Sequence, residues 1–378
     1  MKNYFYTIVL SVICISYVFA QSPVIADHNS AILSIIPVNR IDSAKAKLHI
    51  AYGHTSHGSQ LITGMQGLKN WKGNLYAFNQ GGTNGALDIH DYAFNGASDL
   101  GNPNRTAWAT ATRDYLNNPS NSHVNVVIWS WCGQVSSASQ ADINTYLNLM
   151  NGLETDYPNV KFVYMTGHLD GTGVNGNLNQ RNEQIRNYCL SNNKILYDFA
   201  DIESYDPDGN YYLNKNANDN CDYDSDGNGS LDKNWATDWQ NSHTLNVDWF
   251  NCSAAHSQPL NGNLKAYAAW WLWTRLAGWE ATNISDEPVS HSYSLNRNYP
   301  NPFNPGTRIS WQTAAGSWIT IKLFNVLGKE IETIVEGYYE AGNHSVLFSA
   351  NSALPSGVYY YQLIAGKFAQ TRKMILLR

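Results

Sequence analysis

Lys47-Leu48-His49-Ile50-Ala51-Tyr52-Gly53-His54-Thr55-Ser56-His57-Gly58-Ser59-Gln60-Leu61-Ile62 decides how the larger part of this 378-residue chain folds. An apolar run of strand length, Lys47 to Tyr52, gives way to a polar turn, and Leu61-Ile62 then opens a helix. Strand, tight polar turn and helix make one unit of an α/β fold. The unit recurs. Val124 to Trp129 precedes a helical Gln140 to Leu153, Val160 to Met165 leads to Arg181 to Cys189, Lys194 to Phe199 is a further apolar strand, and Leu264 to Leu276 closes the series as a helix. The expectation is a three-layer α/β/α domain over residues 25–280, with a parallel sheet and a site at the carboxyl ends of its strands.

Polar groups fall at those ends: His54, Ser56 and His57 after the first strand, Ser130, Cys132, Gly133 and Gln134 after the second, His168 and Asp170 after the third, Asp198 and Asp201 after the fourth. The stretch Cys252 to Gly262, with His256 inside it, precedes the last helix. Several turns converging on one edge fit a catalytic cleft.

The 24 Lys and Arg against 30 Asp and Glu are scattered, so no basic footprint for nucleic acid or anionic lipid exists. Charged residues make up 14% and aromatics 13%, with Tyr (24) and Trp (13) ahead of Phe (11), a composition that excludes disorder and suits sugar-binding surfaces. Trp71, Trp108, Trp129, Trp131, Trp235 and Trp239 fall in or near loops where stacking on sugar rings is open to them, whereas Trp270, Trp271 and Trp273 belong to the core side of the last helix.

Residues 1–20 read as a secretory signal, with an apolar run from Tyr4 to Phe19 and Ala20 before Gln21. Cleavage removes one Lys and leaves 23 basic against 30 acidic residues, a net −7. No later apolar run reaches spanning length. Four cysteines remain, and export permits pairing. Cys221 with Cys252 is the expected disulfide, with Cys132 and Cys189 as buried thiols.

Asp222-Tyr223-Asp224-Ser225-Asp226-Gly227-Asn228-Gly229-Ser230-Leu231-Asp232, in an acidic insertion near 219–233, places carboxylates at alternate positions with Gly after the third. That spacing is what a wrapped calcium loop requires, with Asp222, Asp224, Asp226, Asn228 and Asp232 as candidate ligands of a structural Ca2+. The competing reading is a solvated acidic loop.

A shift to Asn, Ser, Asp, Glu and Pro over 281–292 reads as a linker. Beyond it, short alternating runs at Trp318–Phe324, Glu330–Val335, His344–Phe348, Val358–Leu363 and Arg372–Leu377 predict a small all-β, immunoglobulin-like sandwich. Asn298-Tyr299-Pro300-Asn301-Pro302-Phe303-Asn304-Pro305, Leu327-Gly328, Ala341-Gly342 with His344, Ser356-Gly357-Val358-Tyr359-Tyr360 and Lys373-Met374-Ile375-Leu376 resemble the C-terminal sorting domain of the type IX secretion system over 293–378. Phe348-Ser349 stands where that family usually has Trp-Asp. The resemblance implies the type IX machinery as a partner, passage through the periplasm and outer membrane, and a protein released or held at the cell surface.

Over residues 45–279 the first-turn serine, the strand order and the stretch His256, Pro259, Asn261, Gly262 and Lys265-Ala266 resemble the SGNH (GDSL-type) hydrolases. The resemblance implies Ser56 as nucleophile, with Thr55 or Ser59 as alternatives, His256 as base, and an oxyanion hole from the Ser56 amide, Gly81 or Gly82, and Gln134. The family's acid three residues before the base is Ser253 here, so Asp170, Asp198, Asp201 or Asp248 would have to supply it. Catalysis of this kind needs no cofactor. A second reading makes His54, His57, His168, Asp170 and His256 a divalent-metal site of a metal-assisted carbohydrate-active enzyme, hydrolase or lyase. A third is a surface glycan-binding protein without catalysis. The leading expectation is a secreted serine esterase acting on acylated polysaccharide.

Overall fold

The computed structural model describes residues 22–280, 293–296, 298, 300–313, 317–339, 342–352, 354–366 and 368–377. The expected signal segment 1–20 and linker 281–292 lie outside them. The chain divides into two compact units, one ending at Trp279 and one beginning at Glu280.

The first unit is built on seven strands: β1 (Val24–Ala26), β2 (His49–Gly53), β3 (Phe78–Asn79), β4 (Leu87–Asp91), β5 (Val126–Trp129), β6 (Lys161–Met165) and β7 (Ile195–Tyr197). They run in the order β1-β7-β6-β5-β2-β4-β3, every neighbour parallel. All four residues of β5 are buried, as a central strand covered on both faces requires. The helices are α1 (Val38–Lys47), α2 (Ser59–Lys72), α3 (Ala107–Leu116), α4 (Gln140–Asp156), α5 (Asn177–Ser191), α6 (Phe199–Glu203), α7 (Trp235–Ser242) and α8 (Pro259–Leu276).

From β2 the chain crosses outward through α2 to the edge strand β3, steps back to β4 beside β2, and then continues through α3, α4 and α5 to β5, β6 and β7 on the other side. Because such crossovers are right-handed, the reversal puts the two helix sets on opposite faces. α1 and α2 pack with α8, while α4 packs with α3 and α5. Between β2 and β5, neighbours whose crossovers leave in opposite directions, a crevice opens at the carboxyl ends.

The parallel α/β core agrees with the expectation, and its boundaries show where the reading fell short. β1 and β3 are only three and two residues long, and β4 (Leu-Asp-Ile-His-Asp) carries three polar residues, so no apolar run marks them. The run Lys194 to Phe199 stops early because Asp198 caps α6, its carboxylate accepting from the Asp201 amide. Trp108, Trp129, Trp131 and Trp235 are 2% exposed or less, so they fill the core rather than offering sugar platforms. The expected Cys221–Cys252 disulfide is absent: Cys132, Cys189, Cys221 and Cys252 are all free thiols. Cys221 faces the Ser257 hydroxyl at 3.5 Å and Cys252 the Pro259 carbonyl at 3.4 Å. Cys189 is buried as expected, but Cys132 is only half-buried.

Two short strands, β8 (Asp222–Tyr223) and β9 (Lys233–Asn234), pair antiparallel and close the acidic insertion into a hairpin. The second unit holds β10 (Ser294–Leu295), β11 (Gly306–Thr313), β12 (Ser317–Phe324), β13 (Glu330–Tyr339), β14 (Gly342–Ser349), β15 (Gly357–Ala365) and β16 (Phe368–Leu376). They form antiparallel sheets β10-β11-β14 and β13-β12-β15-β16. Both sheets feed one core, Ile309, Trp311 and Phe348 from the first and Ile319, Ile321, Tyr361 and Leu363 from the second.

Candidate active site

The turn after β2 is drawn tightly onto the end of β5. A Cβ built on Gly58 would lie 2.2 Å from Ser130 Oγ and 2.5 Å from His54 Cβ, so only glycine admits this approach. The Tyr52 hydroxyl donates to the Gly58 carbonyl at 2.8 Å and holds the turn from below. As a result Ser56 and His57 lie against Cys132, which follows β5.

Cys132 is the hub. Its Sγ lies 3.3 Å from Ser56 Oγ and 3.3 Å from His57 Nδ1. His57 Nε2 in turn lies 2.9 Å from Asp219 Oδ2. Asp219 arrives from the stretch after β7 and is fixed from both sides. The loop after β6 pairs with residues 217–218 through the Asp170–Asn218 bridge and the Gly171 amide to the Ala217 carbonyl at 3.2 Å. From the other side Gln258 Nε2 donates to Asn220 Oδ1 at 2.8 Å.

Three imidazoles stack here. The His57 ring lies 3.6 Å from that of His168 with planes 3° apart, and 4.5 Å from that of His256 with planes 20° apart. His57 and His168 are buried, and His256 is exposed with φ 61°.

The electrostatics follow from these contacts. Burial alone would push the Cys132 thiol up, but hydrogen bonds with Ser56, Thr55 and His57 outweigh it and hold the thiol below its ordinary range. Burial would likewise lower His57, yet its bonds to Asp219 and Cys132 hold it above the ordinary histidine value. For Asp219 burial pushes up, while the His57 bond and the neighbouring His168 and His57 charges pull the carboxyl below its usual range. His168 is lowered, chiefly by burial. The other thiols move oppositely: burial pushes Cys252 up to about 11, Cys221 up to about 12, and Cys189 far up.

A buried polar lattice braces the site. Lys265 Nζ, fully buried, donates to Glu203 Oε1, Gln60 Oε1 and Asn261 Oδ1 at 2.8 to 2.9 Å. Glu203 Oε2 accepts from the Leu169 amide at 2.9 Å, and Gln60 Nε2 donates to the Ala255 carbonyl at 2.5 Å. The lattice therefore ties α2 to the loops that carry His168 and His256.

The residues expected at the site divide into two groups. Ser56, His57, His168 and His256 come together. His54 does not join them: its Nε2 lies 2.6 Å from Asp91 Oδ1 and its Nδ1 2.9 Å from the Thr55 carbonyl. Asp170 caps its own turn, accepting from the Thr172 amide and hydroxyl, and among the described residues it makes no bond to His256. Gly81 donates to Asp88 Oδ1, the carboxylate paired with His49 at the amino end of β2, so the Gly81-Gly82 turn sits at the opposite strand ends. Gln134 is spent on Asp99 and on the Cys132 amide. Ser56 bonds to Cys132, and no bond to His256 is present among the described residues. The contacts of Cys132 and Asp219 with His57 have no signal in the sequence: Cys132 reads as a buried thiol at a strand end, and Asp219 comes from an insertion that no strand periodicity places.

In the acidic loop, Asp224 accepts from the Gly227, Asn228 and Gly229 amides and Asp232 from the Ser225 amide and hydroxyl. Asp222 accepts from the Asn220 and Asn234 side chains, and Asp226 from Asn228. Among the described residues, three acidic and histidine clusters bring at least three ligand atoms within 4.8 Å of one another, and none of these carboxylates is in them. One cluster is His57, His168 and Asp219. The parallel stacking of its two rings sends their in-plane lone pairs along parallel planes, which do not converge on one ion at the roughly 2.0–2.1 Å of a zinc–nitrogen bond.

Residues 297–377 match the secretion system C-terminal sorting domain family. The second unit is therefore a sorting domain, and the protein is exported, to be secreted or attached at the cell surface. No helix among the described residues is long and apolar enough to cross a membrane. No curated protein matches the chain. Among solved structures, the chain is similar to a dimeric latent PorU from Porphyromonas gingivalis at 13% identity, over 22% of this chain and 9% of that one, with a TM-score of 0.20. It is also similar to an FMN-binding beta-glucuronidase from Facaelibacterium prausnitzii L2-6 at 7% identity, over 87% and 46%, with a TM-score of 0.26. An engineered protein follows at 11% identity, over 70% and 51%, with a TM-score of 0.18. The chain thus spans about half or less of the length of these structures.

Proposed function

We propose that this exported protein is a hydrolase of SGNH-like architecture that cleaves esters, such as acyl groups on polysaccharide, with Cys132 as nucleophile, His57 as general base and Asp219 as its orienting acid. The carrying observation is the continuous chain of contacts from Cys132 Sγ to His57 Nδ1 at 3.3 Å and from His57 Nε2 to Asp219 at 2.9 Å. Nucleophile to base and base to orienter are the two relations that acyl transfer needs. The Cys132 thiolate attacks the ester carbonyl, and the Ser56 hydroxyl beside it donates to the oxyanion. The His57 imidazolium protonates the departing alcohol as the C–O bond breaks. His57 then takes a proton from water, which attacks the thioester and regenerates the thiol. This assignment replaces Ser56, His256 and Asp170 as nucleophile, base and acid, and supports the esterase reading over the metal-assisted and purely glycan-binding ones.

Hydrolysis of short acyl esters and acetylated polysaccharide by wild type, Cys132→Ala, His57→Ala and Ser56→Ala, each with and without chelator, tests it. The expected result is chelator-insensitive turnover, reduced by about 10³ or more in Cys132→Ala and His57→Ala and less in Ser56→Ala. Full activity in Cys132→Ala with none in Ser56→Ala would return the nucleophile to Ser56. Chelator-sensitive activity indifferent to Cys132→Ala would overturn the cysteine mechanism.

For the acidic loop, structural calcium is also proposed, supported by the alternating Asp222, Asp224 and Asp226 and by a hairpin that already folds them into one turn. Added Ca2+ should raise the melting temperature of wild type and leave Asp224→Ala unmoved.

A further inference from the structure

Among the stacked imidazoles, one buried nitrogen stands without a partner among the described residues. His168 Nε2 is buried and has no hydrogen-bond partner among the described residues, while Nδ1 and one ring face are held. Nδ1 donates to the Leu169 carbonyl at 2.9 Å, the Leu169 amide is held by Glu203, and the ring face lies on His57. Since Nδ1 carries the proton, neutral His168 presents Nε2 as a bare acceptor. Nε2 faces Gly133, the exposed residue next to Cys132. A Cβ built there would meet Nε2 at 3.8 Å and, beyond its two chain neighbours, no other atom within 4 Å. Gly133, at φ 69°, thus leaves Nε2 covered by no side chain from its own position, one residue from the nucleophile.

Resting on the esterase reading, we infer that His168 is a specificity-determining residue whose Nε2 accepts a hydrogen bond from a hydroxyl on the alcohol part of the substrate. An ester linkage has no donor of its own and neither has a simple acyl group such as acetyl, so in such a substrate the donor comes from the alcohol. A sugar ring with a free hydroxyl beside its acyl group supplies one, and a simple alkyl ester does not. An acceptor that is already desolvated gains from such a donor and penalises an analogue lacking it, because the buried atom then stays unpaired. Burial lowers the His168 imidazole, so Nε2 remains an acceptor at neutral pH.

The test uses the full chain with methyl 2-O-acetyl-β-D-xylopyranoside and its 3-deoxy counterpart. Turnover is read in wild type, and binding by calorimetry in Cys132→Ala. The deoxy compound should be poorer by about 10-fold or more in both assays. His168→Leu, in the Cys132→Ala background for binding, should bring the ratio near one, and His168→Gln, which keeps an acceptor, should restore part of it. Gly133→Ala should weaken binding of the hydroxylated compound more than that of the deoxy compound, a check that leaves the His168 ring in place. Equal handling of both compounds by the parent proteins, an unchanged ratio in His168→Leu, or no binding of either to Cys132→Ala would overturn the inference. Hydroxyl-dependent binding without wild-type turnover would support the His168 contact while removing the esterase reading beneath it.

Discussion

At the scale of single residues, the His57–Asp219 contact makes the firmest pH statement. His57 is held above its ordinary 6.5 in the folded chain, so its contribution to stability is complete below 6.5 and disappears as pH rises through the folded value. Asp219 is held below 3.8, so its contribution is present above 3.8 and disappears as pH falls through its folded value. The melting temperatures of wild type and Asp219→Asn should therefore differ most between these two ordinary values and converge outside them. In the same variant the His57 titration, followed by NMR, should move down, because burial then acts without the carboxylate. Cys132 makes a second prediction. Of the four described thiols it alone lies below the ordinary range, so iodoacetamide at neutral pH should alkylate Cys132 ahead of Cys189, Cys221 and Cys252, as read by peptide mass. Equal labelling of Cys252 would contradict the pairing with His57.

The elements matter through two close approaches. α2 begins where Gly58 touches the end of β5, and Gly58→Ala forces a methyl group into Ser130 and His54. The turn must then lift away from Cys132, so esterase activity should fall far more than the melting temperature does. If activity and stability fell in parallel, the glycine would serve packing alone. α6 and α8 meet through the buried Glu203–Lys265 pair. Glu203→Gln leaves Lys265 without its counter-charge and should cost about 3–5 kcal/mol in denaturant unfolding. Its loss would also slacken the Leu169 amide and with it the His168 ring. α4 begins with a reciprocal capping box between Ser139 and Asp142, a boundary that Ser-Gln-Ala-Asp spells out locally. Gln140 is accordingly where the reading and the structure agree on the start of that helix.

For the molecule as a whole, the second unit carries export and the first carries the proposed chemistry. Deleting residues 293–378 in a host with type IX secretion machinery should keep the protein from reaching the cell surface or medium, measured by fractionation. The sequence determined the alternation of β2, β5, β6 and β7 with helices, because buried strands are continuous apolar runs and their periodicity is a local property. It equally determined the sorting domain, whose turn residues carry their own signature along the chain. It placed Ser56, His57, His168 and Cys132 at carboxyl strand ends, since loop order follows strand order. Which of them touch was decided only by tertiary structure. The Gly58 approach sets Cys132 against His57, the pairing of the loop after β6 with residues 217–218 delivers Asp219, and stacking turns His256 into a neighbour of His57 rather than a partner of Ser56. The His57–Asp219 contact alone joins residues 162 positions apart, and no local pattern encodes a distance that only the packing of a twisted sheet and its loops creates.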